Sequence, residues 1–384
     1  MSGAYLRGVG LCCALGRDAP DAVSALLRGG PARVYRQRLD ALAEPLETSY
    51  YRIPDEAGLF DPGRFERLLP PVIEAAVSQA GLSAAERRSL PVFVGSSCFS
   101  IGLAEAQYAA ALRQASPAAL PMPVCDYEYP ATLARRALGG AGEGYSYNTA
   151  CTASANALVA AVRMLALGWY PHALVVGAEL ANRTTLAGFS GLQIIADRVR
   201  PFDSQRRGLV LGEGIGAVLL SAEPRPGDRM RLLGGVNNCD TYSVTTANMD
   251  GLSVAAALRD TLAQARIEPR QVRGIKAHGT GTPTGDGAEA AGMRQVFATL
   301  PPVSALKPYL GHTLGACGVI ELILFAGALQ RGFMPGTPGF ETPDPAATVQ
   351  ALSSPAPAED GHYLLSQFGF GGSNTVLALE RLAS

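Results

Sequence analysis

Short apolar runs that stop at glycine alternate along this chain with longer helix-patterned runs, and that alternation restricts its fold more than any other feature. Residues 90–95 and 173–177 are strand-like and end in glycine, whereas 71–80 and 152–167 carry helical spacing. Residues 209–222 and 364–368 return to strand, and the second run stops at the glycines of 369–372. Stretches this continuously apolar suit strands covered on both faces, so the pattern predicts an α/β protein with a buried, mainly parallel sheet. At 384 residues the chain exceeds what one small core needs, so one large unit or two fused units are expected.

An internal echo points to two halves. After Cys151 a run of mostly Ala, Leu and Val leads to Gly168 and an apolar strand; after His312 a similar run leads to Gly332. Two apolar helices of like composition would give the same echo. The polar, proline-bearing stretch 223–227 is placed as the connection, giving halves of 1–224 and 225–384.

Bulk composition narrows the function classes. A net charge of −1 argues against a nucleic-acid binder. Seven cysteines occur without CxxC spacing, and Cys12-Cys13 are adjacent in an apolar strand-like run, which fits a reducing, cytoplasmic setting. The four histidines, His172, His278, His312 and His362, are too scattered for a zinc motif. No segment reads as a membrane span, because Glu321 interrupts the apolar run after His312. Arg7, Gly8 and Gly10 make the N-terminal run a core strand rather than a signal peptide.

Cys151 stands just before a long Ala-rich helical stretch. A thiol at a helix start meets unpaired N–H groups and the positive end of the dipole, which favours the thiolate and suits a nucleophile. The commoner fate of a single cysteine is a small core residue. Two of the four histidines sit in glycine-bearing turns, His278 in Ala277-His278-Gly279-Thr280-Gly281-Thr282 and His312 in Lys307-Pro308-Tyr309-Leu310-Gly311-His312. Together with Cys151 they form a candidate nucleophile and acid/base set. Asp286 reads either as a partner of His278 or as a turn or helix cap, the cap being the simpler.

Thr149-Ala150-Cys151, His278-Gly279-Thr280-Gly281-Thr282, Lys307 with Gly311-His312, and Gly369-Phe370-Gly371-Gly372-Ser373-Asn374 occur in the order seen in β-ketoacyl-ACP synthases. Arg200-Pro201-Phe202-Asp203, Gly212-Glu213-Gly214 and the N-terminal Gly8-Val9-Gly10-Leu11 also resemble that family, so the likeness spans essentially the whole chain. The resemblance implies the thiolase fold, two related halves in five alternating α-β-α-β-α layers. It also implies an acyltransferase that condenses an acyl thioester held on Cys151 with malonyl-ACP, losing CO2.

On the same resemblance, His278 and His312 stabilise the enolate, and the N–H groups of Cys151 and Phe370 hold the later oxyanion. Phe370, alone among glycines, reads as a gate over Cys151 or as a core anchor for its loop. Lys307 is expected to hold Glu289 and tune the histidines, or to make a structural ion pair only. Thr280 and Thr282 read as binders of a phosphopantetheine arm or as turn-stabilising threonines. That arm is brought by the acyl carrier protein, and no permanently bound cofactor is expected. Arg64 and Arg67, ahead of the helix from Pro71, are expected to dock the acidic carrier. Homodimer and heterodimer with a chain-length-factor-like subunit both remain open.

The chain departs from the family where Cys12-Cys13 replaces the Ser-Pro often found after the first strand and where 188–200 is trimmed. The trimming points toward secondary-metabolic assembly of polyenes or polyketides. Two histidines match the chain-elongating subclass. A thiolase would carry a second catalytic cysteine where 369–372 has none, and a chain-length factor would lack the cysteine at 151.

Overall fold

The computed structural model describes residues 3–39, 45–113 and 127–383. Ten strands build its main sheet: β1 (Ala4–Cys13), β2 (Val92–Gly95), β3 (Gly144–Tyr147), β4 (His172–Glu179) and β5 (Gly214–Ser221). The remaining five are β6 (Met230–Cys239), β7 (Val272–Ala277), β8 (Val303–Ala305), β9 (Gly361–Phe368) and β10 (Ser373–Arg381). They lie in the order β8-β7-β9-β10-β6-β1-β5-β4-β2-β3. Outward from the middle, one set runs β1-β5-β4-β2-β3 and the other β6-β10-β9-β7-β8, the same order twice. The sets join where Ala4 and Tyr5 pair with Leu232 and Arg231.

The sheet is mixed, not mainly parallel. β2 is parallel to β3 and β4, and β7 to β8 and β9, but every pair from β4 through to β9 across the middle is antiparallel. Continuous apolar runs report burial on both faces, and helices on both sides bury these strands whatever their direction.

Between the two sets lie the helices Ala153–Ala166 and Cys317–Gln330, which pack on each other. The second is apolar on nearly every side, as a largely buried helix must be, with Glu321 its one buried charge. Their backbones approach closely because residue 318 is glycine: a Cβ there would stand 2.4 Å from the Ala155 nitrogen. The Val319 N–H donates to Ser154 Oγ at 3.1 Å, pinning the pair at the ends that carry the reactive residues. Arg64–Ser78 covers β1 and β5 from outside, and Leu252–Ala265 covers β6 and β10. Helices, sheet set, central pair, sheet set and helices make five alternating layers.

The helix expected from Pro71 begins at Arg64 and carries Pro70 and Pro71 inside it. The carbonyls these prolines leave without an i+4 N–H partner belong to Glu66 and Arg67, both exposed residues. Among the described residues no helix is long and apolar enough to cross a membrane.

Candidate active site

Cys151 follows β3 through a sharp turn in which Ala150 takes φ +51°, a left-handed conformation uncommon outside glycine. Thr152 ties that turn to the C-terminal part of the chain: its Oγ1 lies 2.7 Å from the Thr149 carbonyl and 2.7 Å from Ser373 Oγ. The cysteine is buried and lines a cleft that His278, His312, Thr280, Thr282 and Phe370 also line.

His312 Nε2 lies 3.1 Å from Cys151 Sγ, and the Leu314 N–H donates to Nδ1 of the same ring at 3.3 Å. Nδ1 is therefore the acceptor, which leaves the proton of the neutral ring on Nε2, facing the sulfur. The His278 ring stands edge-on to the His312 ring, 5.3 Å between centroids at 85°. Burial first, and the Lys307 ammonium second, push both imidazoles well below the ordinary histidine range. Both rings are neutral rather than cationic.

The pull of the helix start toward the thiolate is opposed in this environment. Burial pushes the Cys151 thiol up to about 12, although Lys307 and the N–H groups of Phe370 and Cys151 pull the other way. The dipole of a single helix start does not outweigh the loss of water around the sulfur. The groups that favour its anion are already in place around the buried sulfur.

Carboxylates fix the loops that present the two rings. Glu289 accepts the N–H groups of His278 (2.8 Å) and Gly279 (2.9 Å). Asp286 accepts those of Phe202 (2.8 Å) and Gly281 (3.0 Å). Asp286 is thus a loop anchor and not the helix cap: Thr282 caps the helix Pro283–Val296 by accepting the Gly285 N–H at 3.2 Å. Thr280 Oγ1 meets Thr282 Oγ1 at 2.9 Å, so the two hydroxyls both brace the turn and border the cleft. Glu179 gathers the N–H groups of Ser97, Cys98 and Gly315, tying the loop after His312 to β4.

Lys307 does not hold Glu289. Its ammonium pairs with Glu321 Oε1 at 2.8 Å and lies 3.2 Å from His278 Nδ1. Glu321 also takes the Lys276 ammonium and, at 2.9 Å, the Gln367 amide N–H. Burial would raise the Glu321 carboxyl, but Lys276 and Lys307 overcome it and hold it down to about 2. The Gln367 carbonyl consequently faces His278 Nδ1 at 3.0 Å. Lys276, Glu321 and Gln367 escaped the sequence reading. Glu321 had registered only as a break in an apolar run, and a lysine inside the apolar run just before His278 was the available signal.

Arg64 is not a docking residue. Only 1 % exposed, it binds Glu213 (2.6 and 2.8 Å), Asp55 (2.9 Å) and the Leu59 carbonyl beneath the helix start. Arg67 does face solvent, paired with Asp61 at 2.8 Å. Phe370 is half-buried and stacks on Phe189, 5.5 Å between centroids at 13°. Cys317, a second buried thiol, lies 3.1 Å from the Cys151 carbonyl but does not line the cleft.

The profile of the β-ketoacyl synthase N-terminal domain matches residues 18–225, and that of the C-terminal domain matches 231–341. The chain belongs to the β-ketoacyl synthase family. It is a condensing enzyme of the acyltransferase class. It is 29% identical to nodulation protein E of Rhizobium sp. (strain N33) and 27% identical to 3-oxoacyl-[acyl-carrier-protein] synthase 2 of Vibrio harveyi. Each alignment covers 98% of both chains. Among solved structures, a β-ketoacyl synthase of Burkholderia phymatum superposes with TM-score 0.86 at 26% identity over all of both chains. The ketosynthase ApeO of Xenorhabdus doucetiae, solved with its chain length factor ApeC, gives 0.83 at 26% identity over 99% of this chain and 98% of its own.

Proposed function

We propose that this synthase carries the growing acyl chain on Cys151 and extends it by two carbons from malonyl-ACP. The observation that carries the assignment is the convergence of Cys151 Sγ, His312 Nε2 at 3.1 Å and the edge-on His278 ring in the lining of one cleft.

In the first half-reaction the Cys151 sulfur attacks the acyl thioester carbonyl. The carrier's thiol leaves, taking the proton that Cys151 gives up. Malonyl-ACP then loses CO2, and the electron pair of the broken C–C bond passes into an enolate whose oxygen carries the charge. Nε2–H of His312 donates to that oxygen, and His278, its Nδ1 accepting from the Lys307 ammonium and its proton therefore on Nε2, donates a second hydrogen bond. The carbanion attacks the Cys151 thioester, the N–H groups of Cys151 and Phe370 receive the new oxyanion, and Cys151 departs as thiolate toward His312. Acceptance of negative charge at each stage is what neutral, prealigned donors in a dry site provide.

Thr280 and Thr282 at the cleft wall support binding of the phosphopantetheine amides. Arg67 remains for the carrier protein, and the Phe370–Phe189 stack closes over the acyl site. The repeated strand order supports two halves divided near 224/225, the first carrying Cys151 and the second both histidines. A soluble cytoplasmic dimer, either of this chain or with a chain-length-factor-like partner, fits the relatives; the complex of ApeO with ApeC favours the second form.

The test is incubation with acyl-ACPs of several lengths, followed by intact mass and peptide mapping. Acylation at Cys151, abolished in Cys151→Ala, and malonyl-ACP-dependent two-carbon extension are expected. A folded protein that takes no acyl group from any donor, alone or with a co-expressed partner, would sink the reading.

A further inference from the structure

The cluster behind His278 holds one cation more than the condensation scheme uses. Lys276 is fully buried; its ammonium reaches Glu321 Oε2 and donates to the Ser366 carbonyl at 2.8 Å. Gln367 shares that carboxylate oxygen, so Oε1 alone is left to Lys307. Burial draws Lys276 below the ordinary lysine range while Glu321 draws it back up, and where both lysines are protonated against the ionised Glu321, two ammonium groups face one carboxylate. An excess buried charge is costly, and breaking up its pairing more so. A site that must accept negative charge repeatedly gives it a use.

We propose that Lys276 is a positioning residue for the condensation: by occupying one oxygen of Glu321 it leaves Lys307 incompletely neutralised, so that a net positive charge faces Cys151 and the enolate site. The groups around Cys151 are Lys307, His278, His312, Cys317 and Glu321, with Glu179 on the side of β4 and Glu289 and Asp286 beyond His278. Lys307 is the nearest of the cations to the sulfur, set 3.2 Å from His278 Nδ1. Lys276 acts through Glu321 and touches neither the cleft nor the reacting atoms. Fixed positive charge held before the reaction begins costs no reorganisation when the thiolate or enolate appears.

This inference rests on Cys151 being the acyl-bearing thiol, and its test reads that thiol directly. The full-length protein is alkylated with iodoacetamide across a pH series, and the rate at Cys151 is followed by peptide mapping. Lys276→Met removes the excess charge and should move the Cys151 profile upward by about one pH unit, a roughly tenfold slower reaction at a fixed pH below it. Glu321→Gln leaves two uncompensated ammonium groups and should move the profile down. The double variant Lys276→Met/Glu321→Gln restores one net positive charge and should return toward the parent profile. A lysine that only filled space would lower stability in these variants without shifting the profile in opposite directions. If Lys276→Met fails to fold, the direction of Glu321→Gln and the return in the double variant decide. An unchanged profile in folded Lys276→Met, or no return in the double variant, overturns the inference alone. Failure of the parent to alkylate at Cys151 while the exposed Cys239 reacts would remove the nucleophile assignment and this inference together.

Discussion

The Leu314 N–H points at Nδ1 of His312 across 3.3 Å, and this one backbone contact makes the ring a donor toward Cys151. Leu314 adopts φ +47° to do so, and the next residue is held by Glu179. His312→Ala should lower malonyl-ACP decarboxylation and condensation by about 10²–10³-fold, the usual loss for one donor to a developing oxyanion. Cys151 acylation should persist. Release of CO2 and intact mass, measured on the same variant, separate the two steps; equal loss of both would contradict the assignment.

Because burial and Lys307 hold both imidazoles well below 6.5, neither ring gains a proton as the pH falls through the ordinary histidine range. Neither ring should therefore titrate near 6.5 when its Cε1–H resonance is followed by NMR, a readout separate from the Glu289 carboxyl. Lys307→Met removes the second cause but leaves burial, the larger one, in place, so both rings should move up without reaching the ordinary histidine range. Titration of either ring near 6.5 in the parent enzyme would mean that its burial is incomplete.

What was legible in the sequence was whatever the backbone had to announce. Cys151, His278 and His312 stand beside glycines or at a helix start because each side chain must be turned into a cleft, and such turns require particular residues. The two halves were legible as two apolar helices of like composition. Direction of strand pairing was not, since burial on both faces leaves the same apolar pattern in parallel and antiparallel strands. The partners of Arg64 were hidden for a different reason: Glu213 lies 149 positions away, and nothing in the spacing distinguishes Arg64 from the solvated Arg67. The second role of Glu321 was hidden because a charge inside an apolar helix looks the same whether it only interrupts the apolar run or also pairs with buried lysines.

Arg64 and Arg67 should separate cleanly. Arg64→Ala strands Glu213 and Asp55 beneath the helix start, and a loss of about 3–5 kcal/mol in unfolding free energy is expected. Arg67→Ala should change stability by no more than about 0.5 kcal/mol. It should instead raise KM for acyl-ACP several-fold, leaving the reaction with a carrier-free acyl thioester untouched. Urea unfolding and parallel kinetics with the two donors test this; a carrier-independent loss in Arg67→Ala would remove it from the docking surface.

The Phe370–Phe189 stack predicts a trade between protection and access. Phe370→Ala keeps the backbone N–H but removes the ring that covers the thioester. Acyl-Cys151 should then hydrolyse faster in the absence of malonyl-ACP, with the initial acylation rate unchanged or increased. Mass spectrometry of the acyl-enzyme over time measures both, and an acyl-enzyme as long-lived as the parent's would show that the ring anchors its loop instead.

Glu289 ties the geometry of His278 to pH. Burial raises its carboxyl from 4.5 to about 7, although the His278 and Gly279 N–H groups favour the ionised form. A folded-state value above the unfolded one means that its contribution to stability is complete below pH 4.5 and disappears as the pH rises through 7. The full difference corresponds to about 3 kcal/mol. Glu289→Gln cannot titrate, so the unfolding free energy of the variant should fall less steeply across this window. Its amide must also turn an NH2 toward one of the two backbone N–H groups, so the variant should be less stable than the parent at low pH and should lose condensation as the His278 loop shifts. Urea denaturation at a series of pH values gives both readings. A slope identical to the parent's would mean that Glu289 is already ionised throughout, with its two N–H bonds outweighing burial.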